Sequence, residues 1–167
     1  EQILHPERYP DDLPVEVTLP DLSPALGAGW REIDSNVMGE WSTYMILTAG
    51  YEESLRMDEG DAADATEGWG GDAYAIYRND ANQQTALVLR SRWDTRQDLN
   101  EFWNAMKTYG RLRWGTVSRS DSNELVWSET ADGAVLVYRN TEEVVWIIAP
   151  DATSSAWLPP GASAIPT

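Results

Sequence analysis

The side chains of this chain that could do chemistry are mostly carboxylates: 28 Asp and Glu stand against 12 Lys and Arg, with one His and no Cys. Without thiols there is no disulfide, thiolate nucleophile or sulfur-ligated metal. The one histidine, His5, excludes a two-histidine metal site by count, and its place before Pro6 in an extended segment offers it no orienting partner for general-base work. Asp58, Asp61 and Asp64 recur every three residues in the acidic run 57–67, which makes them the one cluster suited to a hard cation such as calcium. Their spacing departs from the EF-hand loop, and the competing reading is a solvated helix face. No cofactor is expected. Glycoside hydrolysis needs an acid in an apolar pocket and a second carboxylate at a set separation. Glu40 beside Trp41, and Glu101 beside Phe102 and Trp103, are the acids with aromatic neighbours, but nothing fixes their separation and no catalytic residue is assigned.

Contact chemistry is the alternative to catalysis. Arg90, Arg92 and Trp93 could present guanidinium groups and a ring on the outer face of a hairpin, with Trp69 and Trp157 adding to an interaction surface. Equally, those arginines could balance nearby carboxylates. Gly68-Trp-Gly-Gly-Asp72 precedes a strand and has no following lysine, so it reads as a structural entry to that strand, with Asp72 bonding local amides, and not as a phosphate loop. A formal charge of -16 argues against nucleic acid or an anionic bilayer as partner. Nine Trp and seven Tyr against one Phe suit positions that are apolar on one side and wet on the other, as in a thin two-layer fold or a docking surface.

The elements that must position these groups centre on residues 68–110. Residues 72–79 and 85–93 alternate with period two, Leu87 and Leu89 against Val88, Arg90 and Arg92, and the polar stretch between them fits a hairpin loop. Leu99, Phe102, Trp103 and Met106 then form one helical stripe. Asp94 or Thr95 is placed as its cap, Asp98 as the return half of a capping box, and Gly110 as its left-handed stop. Three further strands are expected at 124–130, 134–139 and 144–149, the first two joined through Asp132-Gly133.

Ahead of this core, Val37, Trp41, Tyr44, Met45 and Thr48 predict a helix over 37–49, and shorter helices are expected over 51–57 and 60–67. Residues 1–26 form a proline-punctuated arm with a short edge strand at 15–19, residues 27–150 one α+β domain with its helical part over about 35–67, and residues 151–167 a proline-rich tail. The fold class is α+β, with an antiparallel β-β-α-β-β core of about five strands and helices on one face. No run approaches the roughly 18 apolar residues of a membrane span, so the chain is not expected to be an integral membrane protein.

Several spaced motifs carry a resemblance: the opening Glu-Gln-Ile-Leu-His-Pro-Glu-Arg-Tyr, Val15-Glu-Val-Thr-Leu-Pro-Asp-Leu22, Met38-Gly-Glu-Trp41, Gly68-Trp-Gly-Gly-Asp-Ala-Tyr74, Arg92-Trp-Asp94 and Val145-Trp-Ile-Ile-Ala-Pro-Asp151. They resemble the carboxy-terminal half of uncharacterised bacterial extracytoplasmic proteins and lipoproteins, whose amino-terminal half is similar to zinc metallopeptidases. Family members commonly carry Arg where Ala73 stands, and a more helical tail. The peptidase-like half has no counterpart here, so no catalytic position carries over. The resemblance implies a non-catalytic accessory domain at the cell surface that binds a protein partner or the rest of its own precursor, separated from it just before Glu1. A carboxylate hydrolase, a substrate-contacting half of a zinc peptidase-like enzyme, and a small-ligand or cation-binding module are the alternatives.

Overall fold

The computed structural model describes residues 13–19, 21–50 and 52–151. His5, Trp157 and most of the expected arm and tail lie outside them. The fold class is α+β, but the antiparallel sheet has seven strands where about five were expected. They are β1 (Trp30–Asn36), β2 (Trp69–Asn79), β3 (Gln84–Trp93), β4 (Arg119–Ser120), β5 (Glu124–Thr130), β6 (Gly133–Arg139) and β7 (Glu143–Ala149), in the order β1-β2-β3-β7-β6-β5-β4. Two meanders therefore meet at the β3–β7 pair, where Leu89 lies opposite Trp146.

The two extra strands are the outer ones, and each escapes periodicity for a physical reason. β1 is exposed along its length except at Trp30, so no apolar alternation marks it. β4 is only two residues long.

Four α-helical segments are described: α1 (Ser23–Leu26), α2 (Glu40–Thr48), α3 (Glu59–Thr66) and α4 (Arg96–Trp114). The expected helix over 37–49 thus starts later, behind β1, and the one over 51–57 reduces to a single 3₁₀ turn at Glu53–Leu55. Asp58 caps α3 by accepting from the amides of Gly60 and Asp61. At α4 the expected capping box is present: Thr95 accepts from the amides of Gln97 and Asp98, and the Asp98 carboxylate accepts from the Thr95 amide at 2.9 Å.

The expected stop of α4 is corrected. The helix runs through Gly110 and ends at Gly115, whose φ of +78° is the left-handed turn. Gly110 serves packing instead, because a Cβ there would lie 2.3 Å from Cη2 and Cζ2 of Trp127, a buried ring of β5. Gly110→Ala is therefore expected to lower stability by about 1–3 kcal/mol through overpacking, although alanine is the better helix former. Chemical denaturation of the two proteins checks this, and a stabilised variant would show that the helix can lift off the sheet.

Both faces of the sheet are covered. On one, Leu89, Trp93, Leu125, Trp127, Val135, Val137, Val144 and Trp146 pack with Leu99, Phe102, Trp103 and Met106 of α4, joined by Leu47 of α2 and Ala62 and Ala65 of α3. On the other, Val88, Val126, Leu136, Val145 and Ile147 cluster with Tyr77, and Leu19, Leu22, Leu26 and Trp30 pack against them. The helices of the main core sit on one face as expected, while α1 lies on the opposite one. The expected strand at 15–19 is not a strand. That segment nevertheless follows the sheet: the Val15 amide donates to the Gly70 carbonyl at 2.6 Å, and Arg90 Nη1 donates to the Thr18 carbonyl at 3.0 Å.

Candidate functional site

The helix that carries the candidate site, α2, is polar inside and apolar outside at its first turn. Glu40 is 2% exposed and lies on the inner face with Thr43 and Leu47, whereas Trp41 is 48% and Met45 41% exposed. Residues four apart on a helix share a face, so Trp41 and Met45 stand together, and the Trp41 ring stacks on Tyr44 with centroids 5.5 Å apart. Val37, just before the helix, is 56% exposed, and Ile33 of β1 43%. Val37, Trp41 and Met45, part of the spacing that marks the helix in the sequence, thus face outward.

A buried carboxylate holds this helix in place. Asp72, 2% exposed on β2, accepts from the amides of Met38 at 2.6 Å and Gly39 at 2.8 Å. It also accepts from Trp69 Nε1 at 2.9 Å. Two of the free amides at the approach to α2 are thereby satisfied from across the fold, where the sequence suggested that Asp72 bonds amides of its own loop. Gly39, at φ +85°, supplies the turn that no side-chain cap provides.

β1 is the sheet's edge beside this surface. Glu32 pairs with Tyr77 and Asp34 with Ile76, leaving Ile33 in a bulge between them. Bulges and charged side chains are how edge strands resist the addition of another strand. Side chains, and not the β1 backbone, are therefore what this region offers.

The other sequence candidates are dispersed. Trp69 and Trp93 are 3% and 8% exposed and belong to the core, Trp93 stacking on Phe102. Arg90 pairs with Glu143 and Arg92 with Glu142, each at 2.7 Å. Asp61 and Asp64 are exposed on α3 while Asp58 serves as its cap. Among the described residues no three Asp, Glu or His side chains converge where a metal ion could be held. Glu40 is interior, whereas Glu101 is exposed and accepts from Gln97, so the two lie in opposite environments. No described helix is long and apolar enough to cross a membrane.

Beyond α2, one acid has a clear electrostatic role. Asp132, in the β5–β6 turn, is pushed up by partial burial, but Trp114 Nε1 at 2.9 Å and Arg113 Nε at 3.2 Å outweigh this and hold it below the ordinary carboxylate value. With the folded value below the unfolded one, its stabilisation is present above the unfolded value of about 4 and is lost as pH falls through the folded value. Urea denaturation from neutral pH downward is expected to show a shallower acid loss in Asp132→Asn than in the parent. Parallel curves would mean that the contact is electrostatically inert.

A family model described as a domain of unknown function, DUF8575, matches residues 26–157. No curated protein and no solved structure matches the chain.

Proposed function

We propose that this chain, which belongs to the DUF8575 family of domains of unknown function, is a non-catalytic interaction domain whose docking surface is the outward face of α2. The observation that carries this is the exposure of Trp41 and Met45 on a helix that turns Glu40 inward. Tryptophan is the residue most often found at the energetic centre of an interface, and Ile33 and Val37 are further exposed apolar residues of the segment that leads into the helix.

The partner is a protein surface with an apolar centre and a basic rim. Glu32 and Asp34 on β1 and Glu52 and Glu53 after α2 are exposed. The cations near them are engaged elsewhere, Arg31 with Asp80 and Arg56 with the Gly50 carbonyl. A second copy is disfavoured as occupant because it brings a second charge of -16. The likeness of the sequence motifs to an extracytoplasmic accessory half supports a setting at the bacterial cell surface, with the rest of a precursor or a surface assembly as partner.

Affinity capture from cells that produce the chain tests the proposal, with the parent and a Trp41→Asp/Met45→Asp variant as baits at low and high salt. The expected result is a basic protein retained by the parent, weakened by salt and absent from the variant. Equal capture by both baits would rule out this face.

A further inference from the structure

At the far end of α4 lies a cleft of about 410 Å³ between the last turns of the helix and the β4–β5 edge. Its floor is the buried apolar pair Leu125 and Trp127, and its rim carries Lys107, Arg111 and the hydroxyls of Thr108 and Ser120. The volume falls within the usual range for small-molecule sites, which combine an apolar lining with a few placed polar groups.

The cations on this rim differ from most others among the described residues. Arg31, Arg78, Arg90, Arg92, Arg113 and Arg119 each pair with a carboxylate, and Arg56 and Arg139 donate to backbone carbonyls. Among the described residues Arg111, like Arg96, has no such partner, and Arg111 alone of the two lies one turn from Lys107 on this rim. Lys107 has only the Asn104 side-chain oxygen at 3.4 Å and the Trp103 ring at 5.6 Å. In a chain with 28 acids, two unneutralised cations one turn apart are unexpected, since like charges at that spacing repel. The helix dipole favours a cation in the last turn by less than about 1 kcal/mol at an exposed position. It gives no reason for the charges to flank an apolar floor.

We infer that this cleft binds a small amphipathic anion, with its apolar body on Leu125 and Trp127 and its carboxylate or phosphate head between Arg111 and Lys107. The guanidinium fork suits either head, and the hydroxyls of Thr108 and Ser120 can donate to the remaining oxygens. The site is separate from the α2 face, so each stands or falls without the other.

The test is titration of the isotope-labelled chain with 4-phenylbutyrate, phenyl phosphate, 4-phenylbutyramide and inorganic phosphate, following the Trp127 indole N–H and the Gly115 and Thr116 amides by NMR. At least one of the two amphipathic anions is expected to bind saturably with a Kd in the millimolar range or below, the tighter one identifying the head. The neutral amide and free phosphate are expected to bind at least about tenfold more weakly, and Arg111→Gln to weaken the anion by a similar factor. Arg111 is exposed, so this variant keeps the fold, which its unshifted remaining resonances verify. No saturable anion binding, an amide as good as the acid, or an indifferent Arg111→Gln would each overturn the assignment. Trp41→Asp/Met45→Asp is expected to bind the anion as the parent does.

Discussion

Asp72→Ala is expected to be the most destabilising single change at the docking surface, costing about 2–4 kcal/mol, since hydrogen bonds to a charged group are worth about 1.5–3 kcal/mol each and are not additive on one acceptor. Three donors depend on this one side chain: the amides of Met38 and Gly39 and the indole of Trp69. The truncation leaves the buried Trp69 indole N–H without its acceptor and takes the same acceptor from the two part-buried amides. Asp72→Asn is expected to fall between the two, since one oxygen still accepts while its NH₂ group confronts a donor. Urea denaturation followed by tryptophan fluorescence measures both. The variant is also expected to loosen α2 before the sheet unfolds, visible as faster amide exchange over residues 40–48 than over β5–β7. A loss below about 1 kcal/mol, the net worth of an ordinary hydrogen bond, would mean that α2 is held by its packing alone.

The second large effect concerns binding and not folding. Trp41→Ala is expected to weaken partner affinity by about 2 kcal/mol or more, roughly thirtyfold, as truncation of a central interface tryptophan does. Fold stability should change little, because the ring is 48% exposed and stacks on the half-buried Tyr44. The two readouts therefore separate a docking residue from a structural one. Met45→Ala is expected to act in the same direction with a smaller effect. Calorimetry with the captured partner gives the affinity, and thermal denaturation of the free domain gives the control. A Trp41→Ala protein that unfolds early, or that binds as well as the parent, would remove the ring from the interface.

Much of the fold was legible because its determinants are local. The Thr95 and Asp98 capping box is a four-residue pattern, and the stripe of Leu99, Phe102, Trp103 and Met106 reports which side of α4 is covered. Gly110 misled for an equally local reason: a glycine late in a helical stretch reads as a stop, and only the position of Trp127 shows that it is a packing notch. The double burial of the sheet could be heard in the unbroken apolar runs at 134–137 and 144–149, since a strand covered on both faces loses its alternation.

The candidate site was legible only in part. Trp93 shares strand parity with Leu89, so the alternation itself placed it with the core, and Arg90 and Arg92 with the other face. In α2, apolar residues occupy both sides, and helical spacing alone cannot say which side is covered. The deciding contact is made by Asp72, 33 residues from the Gly39 amide it accepts from. Such a long-range bond leaves no mark in local sequence. Nor does β1, whose exposure removes the periodicity that would announce it.

The docking role of α2 is tested most directly by hydroxyl-radical footprinting of Trp41 and Met45, comparing the purified domain with the same chain in the cells that produce it. Both side chains are expected to oxidise readily in isolation and to be protected in the cell, while the exposed residues of α3 react alike in both settings. Equal oxidation of Trp41 and Met45 in the two settings would contradict the proposal, because a face that stays open where the protein works has no partner.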